Sequence, residues 1–305
     1  MIYTVTVNPS IDYIVQLKEL ELGKVNRMSY DTKLPGGKGI NVSRILKELG
    51  QPNTAWGFIG GFTGKFIEQE LQKLNLKTDF TEIKADTRIN VKIKAQNETE
   101  INGQGPQLSA TEITNFKQKF SALKHGDVVI LSGSLVPSLK VDFYFELIEL
   151  IKAHQAEFVI DTTGKSLLRT LGQNPLVVKP NHHELAELFG VKLSDLKDII
   201  FYGQKLLTMG AQHVLISMAG DGGLLIDQQG VYYSPAPKGK VINSVGAGDS
   251  MIGGFVGTYA ASHDPLKSFR YGLACGSATA FSEDLADGKK IAEILPQIKI
   301  EKYEV

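Results

Sequence analysis

The feature that most constrains this chain is an alternation. Short, almost wholly apolar runs (IYTVTV, NTAWGFI, DVVILSG, EFVIDT, PLVVKP and QHVLIS) are separated by stretches with helical periodicity. Runs without a polar face predict strands covered on both sides, and the intervening periodicity predicts the helices that cover them. GINVSRILKELG puts Val42, Ile45, Leu46 and Leu49 on one side and stops at Gly50. VDFYFELIELIKAH and SDLKDIIFYGQKLLTMG have the same character. Strand, helix, strand, helix in this order predicts an α/β fold with a mainly parallel sheet covered by helices on both faces.

Two stretches break the rhythm. Residues 10–34 and 88–102 alternate polar and apolar side chains and carry no helix signal, and the second turns near Gln96 and Asn97. They predict a small antiparallel β lid inserted within a single domain that spans residues 1–305. GGLLIDQQGVYYSP predicts a further hairpin, followed by two helices and a tail.

Lys+Arg and Asp+Glu are both 33, so the formal net charge is zero. Global charge therefore gives no sign of nucleic acid or an anionic membrane as partner, and any anion site must be a local arrangement. The single cysteine, Cys275, excludes an intrachain disulfide framework and a thiolate metal cluster. Its apolar surroundings, GLACGSATAF, fit a small packing residue. MIYTVTVNPS lacks the basic region and long apolar run of a signal peptide. No apolar stretch approaches the roughly 20 residues of a membrane helix. A cytoplasmic protein is the expectation.

In an open α/β sheet, ligands bind beyond the carboxyl ends of the strands. Asn8, the SGS at 132–134, Asp161, Lys179 with Asn181, and Ser217 all fall there. Two nucleotide fingerprints fail. VIDTTGKS ends like a P-loop but has Val159 where the first glycine belongs, IGGFTGKF fails at both ends, and no stretch satisfies G-x-G-x-x-G. NSVGAGDS, residues 243–250, remains. Gly246, Ala247 and Gly248 leave backbone N–H groups open to an anion at the positive end of the helix that follows. Asp249, in its first turn, could take a proton from a hydroxyl. The same residues also describe a glycine-softened helix start. LPGGKGINVSR, residues 34–44, repeats the arrangement with Lys38 as a point charge for a phosphate and Asn41 as a partner for sugar hydroxyls. Its plainer reading is a proline-glycine turn feeding a helix.

Together, PGGKGINVSR and NSVGAGDS resemble the two signatures of the ribokinase-like (PfkB) carbohydrate kinases. NHHE, Asn181 to Glu184, resembles the family's N-x-x-E element. TVTVNPSIDY, LSGSLVP and VVKPN extend the likeness, in order, over essentially the whole chain. GGKGIN, TRINVKI and ETEINGQGP are most similar to the members that phosphorylate D-fructose 1-phosphate, with the tagatose-6-phosphate kinases as near relatives.

The resemblance implies a ribokinase-like fold and assigns roles by position. Asp249 becomes the catalytic base, with Gly246, Ala247 and Gly248 as the anion hole. Asp12, Gly37 and Asn41 hold the sugar. Lys38, Arg27 and Arg88, with Ser134, surround the phosphate already on it. Lys179, Gly248 and the stretch Ser217, Met218, Ala219, Gly220, Asp221 and Gly222 face the nucleotide. Asn181 and Glu184 organise Mg²⁺, Glu184 through water. ATP and Mg²⁺ are the implied cofactors. A monovalent cation near the NSVGAGDS loop is a third, from which Asn243 departs by standing where many relatives carry an aspartate. Relatives pair through their lids, which implies a homodimer.

The expected reaction moves the γ-phosphoryl of ATP to the C6 hydroxyl of D-fructose 1-phosphate. Tagatose 6-phosphate, phosphorylated at the opposite end, is the rival substrate. A sugar-phosphate-binding regulator without catalysis is the non-enzymatic alternative, and the presence of Asp249 argues against it. A dinucleotide oxidoreductase lacks its fingerprint. His182 and His183 read as exposed helix positions, the six histidines show no metal-ligand spacing, Trp56 and the phenylalanines read as core, and Asp161 receives no role.

Overall fold

In the computed structural model, which describes residues 1–162 and 164–304, all six apolar runs are strands of one sheet. The chain opens with β1 (Ile2–Thr6), β2 (Ser10–Gln16), β3 (Tyr30–Gly36), α1 (Lys38–Glu48), β4 (Asn53–Gly60), α2 (Gly61–Lys73) and β5 (Thr81–Ile83). It continues through β6 (Arg88–Lys94), β7 (Glu98–Asn102), α3 (Ala110–Gln118), β8 (Val128–Ser132), α4 (Phe143–Ala153), β9 (Glu157–Asp161), α5 (Gly164–Leu171) and β10 (Val177–Val178). Then come α6 (His182–Phe189), α7 (Leu196–Thr208), β11 (His213–Ser217), β12 (Gly223–Asp227) and β13 (Gly230–Ser234). The last elements are α8 (Ala247–Ser262), α9 (Pro265–Ala280), α10 (Gly288–Ile294) and β14 (Glu301–Tyr303).

The large sheet runs β14-β13-β12-β11-β10-β9-β8-β1-β4-β5. From β11 to β5 every pairing is parallel, and the three pairings from β11 out to β14 are antiparallel. Burial on both faces explains the apolar runs. Val129 and Leu131 of β8 join the core under α3 to α7, whereas Val128 and Ile130 join the one under α1, α8, α9 and α10. The hairpin at 222–235 is β12 and β13. Beyond it lie three helices, not two, and the tail forms β14 against β13. Sequence reading missed that strand because EKY is three residues long and polar.

The small sheet runs β3-β2-β6-β7. Its outer pairings are antiparallel, while β2 and β6 lie parallel at its centre, Ser10 opposite Arg88 and Asp12 opposite Asn90. Ile11 of this sheet packs with Ile40 of α1 and Ile67 and Leu71 of α2. The lid is thereby fixed to the main layer at one end.

From β1 the chain steps through β4 to β5 on one side, and later from β8 to β11 on the other. Strand order reverses between β1 and β8. A crevice for a ligand opens at such a switch point.

Candidate active site

A cavity of 1120 Å³ lies along the carboxyl ends of β1, β8, β9, β10 and β11. Two glycines admit the helices that bound it. Gly37, at φ 127°, precedes α1, and a Cβ there would sit 2.5 Å from Thr6 Cγ2. Gly246, at φ 78°, precedes α8, and a Cβ there would sit 2.6 Å from Leu285 Cδ2. Both conformations favour glycine. The Ala247 N–H turns to the Ser244 carbonyl at 3.2 Å, while those of Gly246 and Gly248 find no protein acceptor among the described residues. The start of α8 therefore offers donors to a ligand in the cavity.

Asp249 is 7% exposed and accepts a 2.8 Å hydrogen bond from Asn41 Nδ2. Burial, then the like charge of Asp161, push its carboxyl up to about 6, against the Asn41 bond and the charges of Lys38 and Lys179. Lys38 Nζ donates to Asp161 Oδ2 at 2.9 Å. Burial alone would pull the Lys38 ammonium down, but Asp161, Asp249 and Glu184 together hold it above its usual value. Lys179 reaches the same place, because a Cβ on Gly248 would lie 3.0 Å from its Nζ.

At the lid end, Asp12 accepts from Ser10 Oγ at 2.7 Å and Asn90 Nδ2 at 3.1 Å, and pairs with Lys92 at 3.3 Å. Arg88 donates from Nη1 to Gly103 O at 2.8 Å and from Nη2 to Asn8 O at 3.0 Å. Burial pulls its guanidinium below the usual value, partly offset by Asp12. Among the described residues, three buried polar atoms of cavity-lining residues have no protein partner: Arg88 Nε and Asn8 Oδ1 beside the lid, and Ser132 Oγ at the end of β8, in register with Asp161. Unsatisfied buried groups are rare, and three on residues that line one cavity mark its wall as polar. Ser134 lines the same end. The preceding turn is held by the buried Tyr144 hydroxyl, which lies 2.9 Å from Ser132 O and 3.0 Å from Gly133 O.

At the far end, Asn181 and Glu184 form a reciprocal cap on α6. Asn181 Oδ1 accepts from Glu184 N, and Glu184 Oε2 accepts from Asn181 N, both at 2.8 Å. The N-x-x-E element is thus a helix cap, and Glu184 Oε1 has no protein partner among the described residues. Ser217, Ala219, Gly220 and Gly222 line this end. Asn243 ties the neighbouring loop by donating from Nδ2 to Glu283 O at 2.9 Å, and its Oδ1 accepts from Val245 N at 3.1 Å.

The cavity thus gathers Asp12, Gly37, Lys38, Asn41, Arg88, Ser134, Lys179, Asn181, Glu184 and the Gly246–Asp249 turn from across the sequence. Three expected residues lie outside its lining. Arg27 is exposed on the loop between β2 and β3. Met218 is buried in the core beneath the sheet, because its side chain faces away from the turn. Asp221 is exposed and contributes its carbonyl to Tyr233 Oη. Asp161, left without a role by the sequence, is in the cavity wall, as are His182 and His183. A carboxylate at the last position of a buried strand was the available signal for Asp161. The histidines followed a cavity-lining asparagine, and His182 Nδ1 lies 3.4 Å from Ser217 O.

Residues 5–291 match the description "pfkB family carbohydrate kinase". The 1-phosphofructokinase of Bacillus subtilis is 49% identical over 300 residues, covering 98% of this chain and 99% of its own. The D-tagatose-1-phosphate kinase of Bacillus licheniformis is 39% identical over 302 residues, covering 98% and 99%. Among solved structures, phosphofructokinase-2 from Escherichia coli in complex with fructose-6-phosphate matches with a TM-score of 0.90 at 28% identity, over 97% of this chain and 98% of that one.

Proposed function

This chain belongs to the pfkB family of carbohydrate kinases, and from that membership we propose that it transfers the γ-phosphoryl of ATP to the C6 hydroxyl of D-fructose 1-phosphate, giving fructose 1,6-bisphosphate and ADP. The observation that carries the reading is the arrangement of one cavity. A buried carboxylate on the open start of α8 lines it on one side, and the half-buried Arg88 of the lid lines it on the other.

The sugar's own phosphate takes the lid end, where Arg88 and Ser134 supply donors and, among the described residues, no carboxylate forms an ion pair with the arginine. Asp12 and Asn41 meet ring hydroxyls. Asp249, ionised at neutral pH but basic enough to accept a proton, takes the hydrogen of the C6 hydroxyl. The C6 oxygen then bonds to the γ-phosphorus as the bond from that phosphorus to the departing ADP oxygen breaks. The N–H groups of Gly246 and Gly248 stabilise the charge on the phosphoryl in flight. The lid excludes water, so the sugar is the acceptor.

Mg²⁺ suits the nucleotide end. No cluster of three or more His, Cys, Asp or Glu side chains able to cage a metal occurs among the described residues. The free Glu184 Oε1 fits an ion that keeps its waters and is held largely by phosphates. Glu184 and Asn181 would hold it through water, and there it would neutralise charge on the phosphates. Asn243 brings no charge to a monovalent cation at the neighbouring loop and its Oδ1 already accepts from Val245 N, so such an ion would draw mainly on backbone carbonyls.

The lid supports a homodimer. Leu22, Val25, Met28, Tyr30, Ile89 and Ile101 are exposed on it, an apolar surface suited to a second copy. Arg27 lies in the same stretch and outside its own cavity, so its role on the sugar phosphate requires that it reach the partner's site.

The test is ADP release with fructose 1-phosphate, tagatose 1-phosphate and tagatose 6-phosphate. kcat/KM should favour fructose 1-phosphate over tagatose 6-phosphate by at least about tenfold, or about 1.4 kcal/mol. The reverse preference overturns the substrate, and no turnover with any of the three overturns the reading itself.

A further inference from the structure

Among the described residues Lys38, Arg88, Lys179 and Lys238 line the cavity, and the first two keep different company. Arg88 is held by the carbonyls of Asn8 and Gly103, and the carboxylate acting on it is Asp12 of the lid. Lys38 is bonded to Asp161 at the end of β9, and its other carboxylate neighbours are Asp249 and Glu184. One turn along α1 from Lys38, Asn41 holds Asp249. Lys38 thus stands between the base and the nucleotide side of the cavity, not with the lid group.

The two phosphates of a ketohexose bisphosphate sit at opposite ends of the molecule. If Arg88 and Ser134 hold the one already present, the cation beside Asp249 meets the one that arrives. A phosphoryl group entering among Asp161, Asp249 and Glu184 meets three carboxylates, and only nearby cations make that place tolerable. Lys38 and Lys179 are the cations acting on Asp249. Asp161 is suited to hold the first of them. Its side chain is 8% exposed and rigid at a strand end, whereas that of Lys38 is 41% exposed and opens toward the cavity. Asp161 is itself anchored, since its carbonyl accepts from Gly133 N at 3.3 Å and it lies in register with Ser132 of β8.

We propose that Lys38 is a catalytic residue for the phosphoryl group in transfer, not a binder of the phosphate already on the sugar, and that Asp161 is the positioning residue that holds it. The proposal rests on the kinase reading given above. It revises the role that resemblance gave Lys38 and supplies one for Asp161.

The experiment compares Lys38→Met, Lys38→Arg, Asp161→Asn and the double variant Lys38→Met/Asp161→Asn at pH 8, well above the value of about 6 for Asp249 in the unmodified chain. Steady-state kinetics are paired with calorimetric binding of the sugar phosphate in the absence of nucleotide. Lys38→Met should lower kcat by about 10²- to 10³-fold, the scale for losing one donor to transition-state charge. KM and Kd for the sugar phosphate should stay within about threefold, because uniform binding is untouched. Lys38→Arg should recover part of the loss. Asp161→Asn should also lower kcat without weakening sugar-phosphate binding, and the double variant should be no slower than Lys38→Met, since Asp161 acts through Lys38. A Lys38→Met enzyme that keeps its kcat but loses affinity for the sugar phosphate overturns the proposal, as do multiplicative losses in the double variant. The Lys38→Met result stands alone if Asp161→Asn fails to fold. Wild-type turnover in the same assay tests the kinase reading separately. If another ketohexose phosphate proves to be the substrate, the same split between kcat and KM is read with that sugar.

Discussion

Replacing Asp249 with asparagine should abolish catalysis and stabilise the fold, and the two effects have one cause. The carboxyl titrates near 3.8 when unperturbed and at about 6 in the folded chain, with burial as the larger contribution and Asp161 next. At 1.36 kcal/mol per unit, that displacement costs the folded state about 3 kcal/mol at any pH where the group is ionised. The sign follows from proton counting. Between the unfolded and folded values the native state binds the extra proton, so stability falls as pH rises through that window. The penalty is complete above pH 6 and absent below pH 4. Asparagine carries no charge and can still accept from Asn41 Nδ2 through its own side-chain oxygen. It gives up a carboxylate at a helix start, worth about 0.3–1 kcal/mol. A net gain of about 2 kcal/mol remains at pH 8. For 305 residues at about 2.1 cal/mol/K each, this raises Tm by about 3 °C. Thermal melts of both proteins at pH 8 and pH 5 give the comparison, and the gain should shrink to about half at pH 5. Turnover should fall by at least about 10²-fold, the scale of a lost general base. A variant that is inactive yet no more stable at pH 8 refutes the account of Asp249 as a desolvated base.

Arg88→Met should raise KM for the sugar phosphate by about 10- to 150-fold, the loss of one charge-assisted bond, and leave KM for ATP unchanged. Asn181→Ala should cost about 1 kcal/mol of stability through the lost cap on α6. Glu184→Gln can keep the cap and should instead raise the Mg²⁺ concentration needed for half-maximal turnover; an unchanged Mg²⁺ titration removes Glu184 from the site. Val25→Asp should make the protein monomeric in sedimentation and inactive, and an active monomer would dispose of the lid-to-lid dimer. His213 is buried, bonded through Nδ1 to Leu176 O at 2.8 Å, and held below its usual 6.5 first by burial. Its contribution to stability is therefore complete above pH 6.5 and lost as pH falls, and His213→Gln should flatten the acid limb of a Tm–pH curve.

How far the site could be read from sequence depends on which physical signal each residue left. Glycines at Gly37 and Gly246 were visible because only that residue tolerates both the positive φ and the close approach of Thr6 and Leu285. Asp249 was visible because a carboxylate directly after such a turn sits on a helix dipole whatever else it does. The sheet was legible from β8 and its neighbours, where burial on two faces leaves apolar runs such as Val128 to Leu131. What stayed hidden was side-chain direction at chain separations that no local pattern encodes. Asn41 was read as a partner for sugar and is found 2.8 Å from Asp249, 208 residues away. Lys38 was read beside Arg88 and is found on Asp161, 123 residues away. In both cases the residue lines the cavity as expected, and it also holds a distant carboxylate that no local pattern names. The sequence marks which side chains can bind anions and hydroxyls, but only the fold decides which of two phosphates each cation meets. Kinetics that separate kcat from KM at Lys38 and at Arg88 therefore address the part of the mechanism that motif reading leaves open.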